Sequence, residues 1–405
     1  MKKIKPLAAL VFAAGLGLGG CSLLGPRIAR NVEPVAPLPP PPPQYAAPVA
    51  TFRFEIDPDK DDVVGQVQVT VASKEDTLSD IARRFNIGYE EIVRANPGVD
   101  PWIPGAGREI IVPTQFILPD GTREGVVINI AAMRIYYFPA NIVKGKKVAR
   151  QPGEQQVVYT HPIGIGKIGW STPEGTTKVV SKQKDPVWHP PASVRKEHAE
   201  NGDPIPSVVP AGPDNPLGKY KFTLGWPSYL IHGTNKPYGV GLRSSHGCIR
   251  LYPEDIEKFF EMIPNGTAVR VVNQPFVFGW HEDQLYLQAY TVLEDDKRDW
   301  KKSQQKLLSK TLNPRIQKEL KARGEQVNWD RVAEVAHDPR GLAVSISNAD
   351  ASIAGLLAAA PRVENRIPAG ANWDGADDPA LQTEGDVKQM VSEQDQNAPK
   401  VKPRT

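Results

Sequence analysis

In Ser244-Ser245-His246-Gly247-Cys248-Ile249-Arg250 a thiol follows an imidazole by two residues, and a second imidazole, His232, lies 16 residues upstream in Tyr229-Leu230-Ile231-His232-Gly233-Thr234. A cysteine attacks carbonyls as its thiolate, and with an ordinary pKa of about 8.5 it needs a base or a positive charge beside it near neutral pH. The base must lie within hydrogen-bond reach, so it usually comes from another strand or loop. His232, at the end of an apolar run, is the candidate. His246 shares a face with Cys248 wherever the backbone is extended, which lets it approach the sulfur or the substrate. Gly247 frees the chain to turn sharply and lets a substrate come close to the main chain. Backbone N–H groups around such a nucleophile can hold the oxyanion of a tetrahedral intermediate. The chemistry these residue types point to is acyl transfer through a thioester.

Two histidines and a cysteine are also possible zinc ligands, but no fourth ligand lies nearby and His161, His189, His198, His281 and His337 are scattered. No metal and no cofactor is expected. The other cysteine, Cys21, ends a leader: Met1-Lys2-Lys3-Ile4-Lys5 is basic, and residues 7–18 are apolar apart from glycine, as in a secretory signal. That run is shorter than the roughly 20 apolar residues a transmembrane helix needs. Leu18-Gly19-Gly20-Cys21 resembles the bacterial lipoprotein signal, which implies removal of residues 1–20, lipidation of Cys21 and, with Ser22 rather than aspartate behind it, the outer membrane facing the periplasm. The alternative is a plain signal peptide with an incidental cysteine. With Cys21 acylated, Cys248 is a lone thiol in an oxidising compartment, a liability unless it is buried or used.

These residues need elements to position them. The 405 residues suffice for two or three domains, and 49 Lys and Arg against 46 Asp and Glu leave only +3, too little to argue for nucleic acid or strong adhesion to an anionic membrane. Residues 21–66, with prolines at 39–43, read as a tether. Within 67–115, Val67, Val69 and Val71 alternate, Thr77 and Asp80 form a capping-box pattern, and Leu78, Ile81, Ala82 and Phe85 make one helical face. A second short helix stops at Asn96-Pro97 and Ile110, Ile111 and Val112 form a strand, giving a βααβ unit. Residues 123–273 hold strand-like runs such as "VVINI", "YKFTLG" and "TAVRVV", with one helix in "YPEDIEKFFEMI". Inside them, 183–218 is a long proline-rich excursion, of a size that is usually functional or disordered. Residues 274–340 read as a strand and helix extension with a hairpin turning at Glu282-Asp283, and 341–405 as a largely disordered tail.

"EDTLSDIARRFNIGYEEIVRANPGV" with "REIIVP" resembles a LysM module, which implies binding to the glycan of peptidoglycan or chitin. His232-Gly233-Thr234 followed by Ser245-His246-Gly247-Cys248-Ile249-Arg250 resembles the signature of L,D-transpeptidases of the YkuD type, a β-sandwich family that builds bacterial cell wall; together the two resemblances cover about half the chain. The fold class expected is therefore mainly β, a YkuD-type sandwich preceded by LysM. The resemblance implies Cys248 as nucleophile, His232 as its base with the Gly233 carbonyl orienting the ring, and His246, Gly247 and the Cys248 amide around the oxyanion. Ser245 would fix the loop. Arg250 would hold a stem-peptide carboxylate or brace the loop, and Tyr229 and Trp226 would line the pocket or pack the core. The reaction implied is attack on the third residue of a tetrapeptide stem, release of D-alanine, and transfer to an amine of another stem or of an outer-membrane lipoprotein. Water as acceptor would make an L,D-carboxypeptidase, and a dead site would leave a peptidoglycan-binding tether. Cysteine peptidases of the NlpC/P60 kind place the nucleophile before its histidine, the reverse of the order here.

Overall fold

Arg53–Ile56 (β1) and Val63–Gly65 (β2) open the computed structural model, which describes residues 45–143, 146–348, 350–369 and 371. The leader, Cys21, the proline run at 39–43 and the tail from 372 lie outside the described residues. Next come Gln68–Val71 (β3), Leu78–Arg84 (α1), Tyr89–Ala95 (α2) and Glu109–Val112 (β4), then Gln115–Ile117 (β5). The Thr77 hydroxyl accepts from Asp80 N at 3.1 Å while the Asp80 carboxylate accepts from Thr77 N at 2.8 Å, a reciprocal cap that starts α1. β3 and β4 pair antiparallel, with Val69 opposite Ile111. Leu78, Ile81, Ala82 and Phe85 are buried, and they share their core with Val127, Tyr136, Phe138 and Val158 of the neighbouring sheet.

That sheet follows in the chain. Its region contains Gly125–Asn129 (β6), Arg134–Phe138 (β7), Ile142–Val143 (β8), Lys146–Lys147 (β9), Gln156–Pro162 (β10), Ile165–Gly166 (β11), Gly175–Lys184 (β12), Ala192–Glu200 (α3), Tyr220–Leu224 (β13), Leu230–His232 (β14), Arg243–Ser245 (β15), Ile249–Arg250 (β16), Pro253–Met262 (α4) and Ala268–Val272 (β17). Nine strands join in the order β1-β10-β7-β6-β17-β12-β13-β14-β16. β12 carries the sheet from one layer to the other: residues 175–178 pair with β17, and after an irregularity between Val179 and Ser181 the strand pairs with β13. Val126, Ile135 and Val269 from one layer and Phe222, Ile231 and Ile249 from the other fill one core with Ile256 and Phe259 of α4. The fold is the mainly β sandwich expected, with the βααβ unit of β3, α1, α2 and β4 upstream.

The chain continues through Phe276–His281 (β18), Gln284–Ala289 (β19), Trp300–Thr311 (α5), Pro314–Arg323 (α6), Trp329–His337 (α7), Ala343–Ser345 (β20) and Ile353–Ala359 (α8). β18 and β19 form a hairpin whose turn residues Glu282 and Asp283 have φ of 45° and 62°. No helix among the described residues is long and apolar enough to cross a membrane.

Three stretches differ from the sequence reading. Within the proposed tether at 21–66, β1 pairs with β10, Arg53 opposite Tyr159, and β2 pairs with β5; "FRFEI" supplies enough apolar side chains to close a sheet edge, and the prolines before it masked this. The excursion at 183–218 carries α3, an antiparallel bridge between Trp188 and Val209, and an Asn215 side chain that donates to the Pro186 and Pro210 carbonyls at 2.8 and 3.0 Å. Within the tail at 341–405, β20 joins β19, and residues 361–363 run beside β3, with Val69 N donating to Pro361 O at 2.9 Å and Val363 N to Val69 O at 2.8 Å. A segment poor in aromatics builds no core of its own, but it can complete the open edge of another unit's sheet.

Candidate active site

β14 and β16 lie side by side and parallel, Ile231 opposite Ile249 and His232 opposite Arg250. This register brings the upstream histidine and the cysteine loop to the same edge of the sheet. Cys248 is a free, partly buried thiol just before β16. Its Sγ lies 3.7 Å from the Ser228 carbonyl and is hydrogen-bonded by the Leu230 N–H, both on the approach to His232. Burial pushes the Cys248 thiol up, while that N–H and the Arg250 guanidinium pull the other way.

His232 is buried, and its Nδ1 lies 2.6 Å from the Gly233 carbonyl. A carbonyl only accepts, so Nδ1 carries the proton and Nε2 keeps its lone pair. Burial, helped by Arg250, lowers the His232 pKa to about 3, so the ring is neutral at ordinary pH. Arg250 pairs across the sheet with His232 and follows Cys248 by two residues, and its charge lowers the pKa of both. Its Nη1 donates to Ser244 Oγ at 3.1 Å, whereas its Nε is buried with no protein partner.

Gly247 has φ of +95°, and a Cβ there would stand 2.9 Å from the Tyr229 ring and 3.3 Å from the Trp170 carbonyl. Only glycine fits. Tyr229 therefore borders the loop, and it also packs on the core with Trp226. The Ser245 hydroxyl donates to the Cys248 carbonyl, closing the loop on itself. The His246 ring turns to the excursion, its Nε2 3.0 Å from Glu197 Oε2 of α3 and its plane edge-on to Trp170 with centroids 4.9 Å apart. Cys21 lies outside the described residues.

The family model described as the L,D-transpeptidase catalytic domain matches residues 123–271, and a LysM model matches residues 71–113. The chain is 38% identical over 301 residues to the probable L,D-transpeptidase ErfK/SrfK of Salmonella typhimurium, covering 73% of this chain and 91% of that one. The chain belongs to the L,D-transpeptidase family. It is likewise similar to the probable L,D-transpeptidases YbiS and YcfS of Escherichia coli K12, at 42% over 234 residues and 39% over 235, covering 57% of this chain and 72% and 69% of theirs.

This L,D-transpeptidase carries a LysM domain ahead of its catalytic domain, and both imply peptidoglycan as the partner. Among the described residues no group of three or more His, Cys, Asp and Glu is placed to hold a metal. Sequence reasoning missed Glu197, Lys167 and Trp170 around His246, and Ser228 and Leu230 around the thiol. Glu197 offered one signal, an acid on a short polar helix inside an excursion too long for a turn; the backbone groups of 228 and 230 offered none.

Proposed function

We propose that Cys248 is the nucleophile of the L,D-transpeptidase reaction and His232 its base. The observation that carries this reading is the strand pairing that sets Sγ against residues 228–230 of the segment ending in His232 and lays Arg250 opposite His232. The resting pair is a neutral thiol and a neutral imidazole. Sγ attacks the carbonyl of the third stem residue as its proton passes to His232 Nε2, the nitrogen left unprotonated by the Gly233 contact. The Gly247 and Cys248 amides, on a loop that only glycine permits, hold the oxyanion, while His246, its Nε2–H given to Glu197, borders that loop. The proton returns to the departing amine, D-alanine leaves, and the thioester conserves the energy of the broken peptide bond.

An amine, from a second stem or from a lysine of an outer-membrane lipoprotein, gives its proton to His232 and takes the acyl group. Water competes for the same thioester, and the 183–218 excursion acts as the lid that limits it. Arg250 holds a stem carboxylate or braces the loop through its Nη1–Ser244 bond, and the Ser245 hydroxyl closes that loop on the Cys248 carbonyl. The LysM domain holds glycan, and a lipid on Cys21 anchors the enzyme to the outer membrane on its periplasmic side. The test is incubation with disaccharide tetrapeptide and mass analysis of the products. A crosslinked dimer with loss of D-alanine, absent with Cys248→Ala, is expected; tripeptide alone would make the enzyme a carboxypeptidase.

A further inference from the structure

Glu197 uses its two carboxylate oxygens on two different partners. Oε2 accepts from His246 Nε2 at 3.0 Å, and Oε1 is ion-paired with Lys167 Nζ. Lys167 is itself fixed to the cysteine loop, because its backbone N donates to the Ser245 carbonyl at 2.9 Å and the following turn sends Thr172 Oγ1 to the Gly247 carbonyl at 3.0 Å. Helix α3, in contrast, buries only Val194. A helix with so little apolar contact depends on its polar ties for its place, and its polar ties to the loop around Cys248 run through Glu197.

We propose that Glu197 is the positioning residue of this site: it latches the lid helix to the cysteine loop and, in the same contact, fixes the ring and tautomer of His246, so that the acyl-enzyme meets amine rather than water. The inference rests on Cys248 being the acylated residue. With Nε2–H given to the carboxylate, a neutral His246 ring keeps one lone pair, on Nδ1, and its orientation is set by the lid. When the latch opens, the ring loses its partner and the thioester is exposed to solvent, so lid position and His246 geometry change together. The charged groups acting on this ring have opposite signs: Glu197 favours its protonated form, Lys167 and Arg250 oppose it, and His198 stands 6.0 Å away.

The opposed signs supply the test. Full-length enzyme and the variants Glu197→Gln, Glu197→Ala and Lys167→Met are compared with disaccharide tetrapeptide as donor and acceptor, scoring crosslinked dimer against hydrolysed tripeptide across pH. Intact-protein mass after exposure to a carbapenem reports Cys248 acylation separately. Glu197→Ala should shift the dimer-to-tripeptide ratio toward hydrolysis by about tenfold, the lower end of what losing an orienting partner costs. Glu197→Gln, which keeps an acceptor oxygen, should fall between it and wild type. The acid limb of transfer should move to lower pH in Glu197→Gln and to higher pH in Lys167→Met. A helix that merely needs its ion pair would move both variants the same way, and that result, or an unchanged product ratio in Glu197→Ala, overturns the proposal. Wild-type enzyme that takes no carbapenem would strike the assignment of Cys248 instead.

Discussion

At Cys248 the surroundings work against ionisation, since burial raises the thiol, and burial also holds His232, on the adjoining strand, neutral. A depressed histidine pKa of about 3 means that no imidazolium is present to stabilise a thiolate at neutral pH. Alkylation of Cys248 by iodoacetamide should therefore rise with pH into and beyond the ordinary thiol range, without the acidic plateau of a preformed thiolate–imidazolium pair. The rate profile from pH 4 to 10, read by mass, checks this. At Gly247 the backbone is left-handed and the space for a Cβ is filled by Tyr229. Gly247→Ala should lose about 1–3 kcal/mol of stability and most turnover, measured by thermal melting and product formation. The need for glycine was legible in the sequence because a nucleophile loop must turn; the ring that enforces it was not, because Tyr229 reaches the loop only through the folding of β13 onto β14.

Among the elements, those that answer to local pattern were read correctly. The alternating valines of β3 and the capping box of α1 are short-range features, and no distant partner is needed to see them. What escaped were strands whose partners lie far along the chain: β1 pairs with residues 156–159, and residues 361–363 pair with β3. Alternation says that a segment suits a sheet edge, but not which edge is open. The C-terminal strand should stiffen β3, since Thr70 Oγ1 also donates to Val363 O at 2.9 Å and Asn365 Nδ2 to Val71 O at 3.0 Å. Val363→Pro removes the donor to Val69 and should cost about 1–3 kcal/mol. Hydrogen exchange should then accelerate at the β3 amides while the core of β13 keeps its protection.

Across the whole molecule, the LysM and catalytic domains meet through a polar contact that composition could not foretell. Asn86 Nδ2 donates to Asp255 at 2.6 Å, His161 Nδ1 lies 3.0 Å from the same carboxylate, and Arg134 Nη2 donates to Asn86 O at 2.8 Å. Arg83 forms an ion pair with Glu254 at 3.0 Å, and Gly88 packs so closely on Gly241 that a Cβ would fall 2.8 Å from its Cα. Burial would raise the Asp255 pKa, but His161, Lys258 and Asn86 together hold it below the usual carboxylate value. The stability it contributes is thus present above about pH 4 and is lost as pH falls through its lowered pKa. Asp255→Ala leaves buried partners behind and should cost about 3–5 kcal/mol. Calorimetry should show wild type melting in one transition, and the variant splitting into two as the domains uncouple.

The proposed transfer passes through a thioester at one sulfur. Acid-quenching the enzyme during turnover of disaccharide tetrapeptide and weighing the intact protein tests it most directly. The predicted result is an adduct equal to the donor less D-alanine, released by hydroxylamine and absent from Cys248→Ala. An adduct that persists in Cys248→Ala, or turnover by that variant, would contradict it.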